Sequence, residues 1–371
     1  MRENARWSGL DGLRALAVLA VLGTHFGFLN RGAYVGVDLF FVLSGFLITS
    51  LLVRERQRVG AISLWRFWLR RGLRLFPALV CAIIFALLVA QWAEYGPWRT
   101  TTFTGLPWVF SYLGNWVTAQ SAGRLGLLGP TWSLAVEEQF YIVWPLVISF
   151  WLARRRSRPE RRAVIMTWVA CVAGLYNLWA MQHWGWQVAY FRTDTHAMGL
   201  CAGSALALAL AGRPGSVSLP KSKRRLLQGA ALGGFALFAY ICIFCVGQTA
   251  ARSSVMLNAA VLASVAMVAF VVLIPESFWV RLLSRKVPSW IGARSYGIYL
   301  YHYPLAALVV FAPVFHFRGA AHGVAVVICL VLTVVLAAAS YRWIETPFLR
   351  LKERLSVGTT PETQLTLSPA T

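Results

Sequence analysis

The chain has 371 residues, 58% of them hydrophobic, with six cysteines and a formal net charge of +22. A basic excess gathered on one soluble domain would point to nucleic acid. Here Arg and Lys instead fall in short runs between long apolar segments, which excludes that class and points to membrane helices oriented by their loops.

From the N-terminus, Arg2 and Arg6 followed by an apolar run imitate a signal peptide, but the run continues through Val21 and Leu22 to His25 without a small-x-small cleavage site. It reads as a retained span. At ~20 residues per crossing, ten spans are expected, near 10–29, 36–53, 74–92, 134–152, 163–181, 195–211, 227–247, 255–274, 295–313 and 322–343. The expected fold is therefore all-α, a polytopic integral membrane helical bundle. Its membrane domain covers 9–348, and a short, disordered cytoplasmic tail covers 349–371.

Charge tests the count. Arg54, Arg56, Arg58, Arg66, Arg70 and Arg71 follow the second span, and Arg154, Arg155, Arg156, Arg158, Arg161 and Arg162 follow the fourth. Lys221, Lys223, Arg224 and Arg225 follow the sixth, Arg281, Arg285 and Lys286 the eighth, and Arg350, Lys352 and Arg354 the tenth. Every second loop is basic, so both termini are expected in the cytoplasm. The segment 103–117 is apolar but short and interrupted by Pro and Gly, and reads as a re-entrant or interfacial piece of an outer loop.

All six cysteines, Cys242-x-x-Cys245 included, lie in apolar segments and read as small core filler without a disulfide framework. No set of His and carboxylates has metal-ligand spacing. Asp194, His196, His183, His316 and His322 match no motif and are expected to face water.

An ionisable residue within a span costs at least a few kcal/mol unless it faces protein or water. Arg14 and His25 lie eleven residues apart on one helix, which is ~16 Å along the axis and about three turns, so they share a face. Arg14 can hold an anion near the cytoplasmic end or snorkel to headgroups. His25 can do chemistry further out or make an interhelical hydrogen bond. Asp38 needs a cationic or hydrogen-bonding partner. Gly36, Ser44 and Gly45 would let a second helix approach closely.

Arg14-x10-His25 followed by Gly36-x3-Phe40-x3-Ser44-Gly45 resembles the acyltransferase 3 family of integral membrane acyltransferases. Further motifs follow in the same order: Arg71-x-x-Arg74, Trp132-Ser133-Leu134-x-x-Glu137-x-x-Phe140-Tyr141, Ser295-Tyr296-x-x-Tyr299-Leu300-x-His302-x-Pro304, and Glu345-x-Pro347. Some members continue into a periplasmic esterase-like domain, for which this chain is expected to end too soon. The resemblance implies a multi-pass protein of the bacterial inner membrane. Such a protein moves an acyl group, usually acetyl, from cytoplasmic acyl-CoA to a hydroxyl of an envelope glycan or lipid-linked saccharide, such as lipopolysaccharide O-antigen or exopolysaccharide. A macrolide or other small-molecule acceptor is the alternative at the level of substrate.

On that resemblance His25 is the general base or a covalent acyl carrier. Arg14, Arg71 and Arg74 are donors to the phosphates of coenzyme A, although positive-inside bias also accounts for arginines at that depth. Glu137 orients His25 or binds the acceptor, and His302 is accessory. Asp38, Ser44, Gly45, Trp132, Tyr299 and Glu345 support the site. Trp92, Trp98, Trp108, Trp116 and Trp132 flank the large outer loop and either stack on sugars or form an interfacial belt. A proton-coupled transporter would also bury His, Asp, Glu and Arg. The absence of matching halves argues against one.

With both termini and the loops holding Arg56, Arg156 and Arg224 inside, the 93–133 loop is outside. In a cysteine-less background, Gly123→Cys should be labelled by an impermeant maleimide from the outer face. Labelling only from the cytoplasm would overturn the ten-span orientation.

Overall fold

The computed structural model describes residues 2–92, 96–153, 159–211, 219–245, 249–311 and 319–357. Among them there is no strand. The helices are α1 (Arg2–His25), α2 (Gly36–Val59), α3 (Leu64–Trp92), α4 (Gly96–Phe110), α5 (Gly114–Gln120), α6 (Thr131–Ala153), α7 (Pro159–Phe191) and α8 (Thr193–Leu210). They continue as α9 (Lys221–Phe244), α10 (Ala250–Leu273), α11 (Phe278–Leu283), α12 (Lys286–Ala293), α13 (Ser295–Ala306), α14 (Ala320–Ser340) and α15 (Thr346–Val357). Arg154, Arg155, Arg156, Arg158 and His316, and the tail from residue 358 on, lie outside the described residues. The start of the expected tail belongs to α15.

Helix ends follow local chemistry. Gly60 closes α2 at φ 76°, with its N–H donating to the Arg56 carbonyl, a conformation only glycine adopts cheaply. Gly185, at φ 77°, breaks α7 into a long rod and a short final turn. Tyr112, at φ 54°, separates α4 from α5, so the 103–117 stretch folds as two short helices, as its Pro and Gly content suggests.

Six helices among the described residues are long and apolar enough to cross a bilayer: α2, α3, α7, α9, α10 and α14. The other four expected spans fall on α1, α6, α8 and α13, the last passing into a π-helical turn at Ala307–Phe311. The most apolar stretch of α2 is 72% buried and that of α10 61%, against 28% in α7 and α9, so α2 and α10 form the centre. The peripheral helices turn rows of large apolar side chains outward, such as Trp168, Val172 and Leu175 on α7 and Val324, Val327, Val331 and Val335 on α14. A surface of that kind needs lipid to cover it.

The centre is set by how closely helices approach. α2 packs along α8, and α8 along α7. A Cβ on Gly45 would collide with the Leu200 carbonyl, and one on Gly203 with that of Val42. Between the two backbones Thr49 donates to Ser204 at 2.9 Å, and the Trp144 indole of α6 donates to Thr49 at 2.8 Å.

Asp38 faces a buried imidazole here, without a hydrogen bond to it. It is 1% exposed and lies 3.6 Å from His196, itself fully buried among Phe41, Trp132 and Tyr190. His196 therefore does not face water: the close α2–α8 contact draws it into the interior. Asp194 bonds Arg192 at 2.7 Å and Tyr176 at 3.1 Å, whereas His183 is exposed and His322 half-buried.

Gly45→Ala should lower stability by about 1–3 kcal/mol, because an overpacked contact parts the two backbones. Gly72→Ala, at a glycine with nothing within 4 Å, should leave the thermal midpoint of the detergent-purified protein unchanged or raised. Equal midpoints for the two variants would show that the α2–α8 contact is not tight.

Candidate active site

Two cavities lie end to end inside the bundle. The inner one, of about 100 Å³, is lined by Arg14, Ser44, Arg71, Arg74, Glu137, Tyr141, Tyr296, Tyr299 and Glu345. The outer one, of about 440 Å³, is lined by His25, Tyr34, Trp132, Trp186, Tyr190, Phe191, Tyr299 and Tyr303. Val37 and Tyr299 belong to both walls.

In the inner cavity three guanidinium groups meet two carboxylates. α1 brings Arg14, which bonds Asp11 at 3.2 Å. α3 brings Arg71 and Arg74 one turn apart; the Arg71 guanidinium lies 3.9 Å from the centre of the Tyr141 ring, and its Nε is buried with no hydrogen-bond partner. α6 brings Glu137, whose Oε1 accepts from the Ser44 hydroxyl at 2.6 Å. Glu345 closes the cavity within Coulomb range of Arg74 and Arg294. Cations outnumber anions, so the cavity suits phosphate oxygens, which planar guanidinium forks bind in pairs.

Glu137 departs from both expected placements. It stands in the arginine cavity bonded to Ser44, not beside His25 and not in the outer cavity. The reason is helical phase: Trp132 and Glu137 are five residues apart on α6, about 140° off one another at 3.6 residues per turn and more than a turn apart in depth. Trp132 therefore faces outward along the passage while Glu137 sits deeper.

His25 lines the outer cavity, and His302 stands behind it. His25 ends α1, with Nδ1 3.0 Å from the Val21 carbonyl and 3.1 Å from Nε2 of His302. His302 is fully buried on α13, and its Nδ1 is 2.6 Å from the Tyr299 carbonyl. A carbonyl can only accept, so His302 carries its proton on Nδ1 and presents the Nε2 lone pair to His25. His25 is then protonated on Nδ1, and its own lone pair is on Nε2. A base held in one tautomer by a second group is the arrangement that proton abstraction needs. His302 thus acts through His25.

Tyr299 is the partition. Its hydroxyl donates to the Pro130 carbonyl at 2.9 Å and lies 2.6 Å from the Ser133 hydroxyl. This ties α13 to the entry of α6. Ser133 and Tyr299 are adjacent members of two separate sequence motifs, and the structure joins them.

Of the five tryptophans expected around the outer loop, only Trp132 lines this cavity. Trp92 and Trp108 are exposed, and Trp116 lies 4.7 Å beneath the Arg192 guanidinium. The remaining aromatic wall comes from Tyr34 and from the end of α7, where Trp186 and Tyr190 stack at 4.7 Å. Sequence reading missed these. The spacing of Trp186 and Tyr190 after Gly185 was the available signal. No group of three or more His, Cys, Asp or Glu among the described residues could hold a metal ion.

Helices faced with apolar side chains around a polar, two-chambered interior define a multi-pass membrane protein with a built site. The family model described as "Acyltransferase domain" matches residues 7–342, and the chain belongs to that family. It is 34% identical to YrhL of Bacillus subtilis over 91% of this chain and 54% of that protein. It is 30% identical to peptidoglycan O-acetyltransferase OatA of Listeria monocytogenes, over 94% of this chain and 57% of that one. To O-acetyltransferase OatA of Staphylococcus aureus the identity is 33%, over 91% and 56%. The chain thus spans a little over half the length of the curated relatives it matches. No solved structure matches it.

If the inner cavity holds phosphates, Arg14→Ala and Arg74→Ala should each weaken coenzyme A binding to the purified protein by roughly tenfold or more, as loss of a charge-assisted bond does. Arg→Lys should restore part of it. Unchanged binding by folded variants would return both arginines to the role of topology signals.

Proposed function

We propose that this chain is a membrane O-acyltransferase that moves an acyl group, acetyl in the first instance, from cytoplasmic acyl-CoA to a hydroxyl of an envelope glycan. The observation that carries this reading is the pair of cavities sharing the Tyr299 and Val37 wall, with the arginines on one side and the His25–His302 pair on the other. Donor phosphates are held in the inner cavity and the thioester points at the partition. The acceptor enters from the outer cavity, whose aromatic walls suit the apolar faces of a sugar ring. The relatives named for peptidoglycan make cell-wall saccharides the first acceptors to offer, ahead of O-antigen and exopolysaccharide units.

Transfer follows from the tautomers. His25 Nε2 takes the proton of the acceptor hydroxyl as its oxygen attacks the thioester carbonyl. The new C–O bond forms, the C–S bond breaks, and the thiolate leaves with the proton that His25 returns. His302 holds the proton on Nδ1 of His25 throughout, so Nε2 is the atom that takes and returns the acceptor's proton.

General-base removal typically costs ~10²–10⁴-fold. His25→Gln keeps much of the hydrogen-bonding shape but takes up no proton near neutral pH, so transfer of radiolabelled acetyl from acetyl-CoA to peptidoglycan saccharides should fall by that factor while coenzyme A still binds. Near-normal transfer by the glutamine variant would make His25 a packing residue and send the search for a base elsewhere.

A further inference from the structure

A third concavity lies on the outside of the bundle, on the opposite side of the α12–α13 turn from the inner cavity. It is an open groove of about 740 Å³ lined by Trp290, Arg294, Tyr341, Arg342, Trp343 and Arg350, and its lining contains no Asp or Glu. Neither the transfer chemistry nor the sequence motifs use it.

The residues divide into two levels. Deeper along α14, Val324, Val327, Val331 and Val335 present an exposed apolar row that leads towards Ala338 on the groove floor. At the mouth, Trp343 is 70% exposed and Trp290 39% exposed, large amphipathic rings of the kind that settle at the headgroup level of a bilayer. Beside them stand three guanidinium groups. Arg342 and Arg350 are exposed, while Arg294 is fixed between two rings, 4.1 Å from the centre of Trp290 and 4.5 Å from that of Tyr341. Its Nε is buried with no hydrogen-bond partner. An arginine clamped between rings has given up much of its rotamer freedom before any anion arrives, which lowers the cost of binding one.

Solvated loop arginines need neither the aromatic clamp nor the apolar row. A cationic mouth continuous with a lipid-facing hydrocarbon track matches a molecule with a negative phosphate at one end and acyl chains at the other. We propose that this groove is a binding site for an anionic glycerophospholipid, its phosphate on Arg294, Arg342 and Arg350 and its acyl chains along the α14 row. Basic pockets beside membrane helices on the cytoplasmic face recognise headgroups by this chemistry. Bound there, the lipid would brace the turn that carries Gly292, Ala293 and Ser295 on the inner-cavity wall.

Native mass spectrometry of the delipidated full chain tests it, with phosphatidylglycerol and phosphatidylcholine titrated separately. Phosphatidylglycerol should be retained about tenfold more strongly, and the preference should vanish in the Arg342→Gln/Arg350→Gln double variant. It should persist in Arg66→Gln/Arg281→Gln, which removes the same charge from exposed positions elsewhere. Both double variants change exposed side chains, and their thermal midpoints should match that of the parent. Equal retention of the two lipids, or a preference that survives loss of Arg342 and Arg350, would overturn the proposal. Displacement of phosphatidylglycerol by inorganic phosphate would overturn it too, by showing that the acyl chains add nothing. Displacement by coenzyme A, but not by inorganic phosphate, would reassign the groove to the nucleotide end of the donor.

Discussion

The backbone-to-backbone contact between α2 and α8 is the constraint on which the site depends. Gly45 and Gly203 allow it, and no side chain could stand at either position without moving a carbonyl of the other helix. Once the helices meet there, the remaining faces of α2 are assigned. Asp38 is aimed at His196, Ser44 at Glu137, and Phe41 at Trp132. Ser44 and Thr49 find hydrogen-bond partners inside the bundle, Glu137 and Ser204. Asp38 and His196 are the exception, lying 3.6 Å apart with no hydrogen bond to either side chain.

Tyr299 and Val37 then divide the interior. Arginines gather on the side where basic loops are expected, and His25, with His302 behind it, stands on the other. On the proposed function, such a division would let one side of the membrane supply a highly charged donor while the other supplies a hydroxyl-rich acceptor. The partition is held by the Tyr299 hydroxyl, which donates to the Pro130 carbonyl and accepts from the Ser133 hydroxyl, so the motifs on α6 and α13 build one wall.

Features encoded within one helix were legible in the sequence. Arg14 and His25 share a helix face by spacing alone, and Gly45 reads as a close-packing residue by size. Arg71 and Arg74 stand one turn apart within α3. Features that depend on which helices become neighbours were not legible. Nothing local marks His196, which sits amid residues that match no motif, as the partner of Asp38. Nothing local directs Glu137 to Ser44 and away from His25. The aromatic wall was sought in the outer loop, where Trp is abundant, but it comes from the end of α7, where Gly185 turns the chain so that Trp186 and Tyr190 face inward. Hydropathy marks six helices clearly. The other four expected spans fall on α1, α6, α8 and α13, and each of these carries ionisable residues of the interior, Arg14 and His25, Glu137, His196 and His302. On α1, α6 and α8 these polar residues lower the apolarity, whereas α13, with twelve residues, is short.

The two imidazoles show how a base could be oriented here without an ionised partner. The Tyr299 carbonyl fixes the proton of His302, and His302 fixes that of His25, so the order of lone pairs is set by backbone geometry and not by an ionised group. A carboxylate in the place of His302 would orient His25 equally well and would stabilise an imidazolium. It would also bring a net charge into the low-dielectric interior, which is costly unless paired. A neutral second imidazole supplies orientation without that charge. On the proposed transfer, the proton taken from the acceptor would pass on to the departing thiolate, and the site would return to its neutral starting state within one turnover.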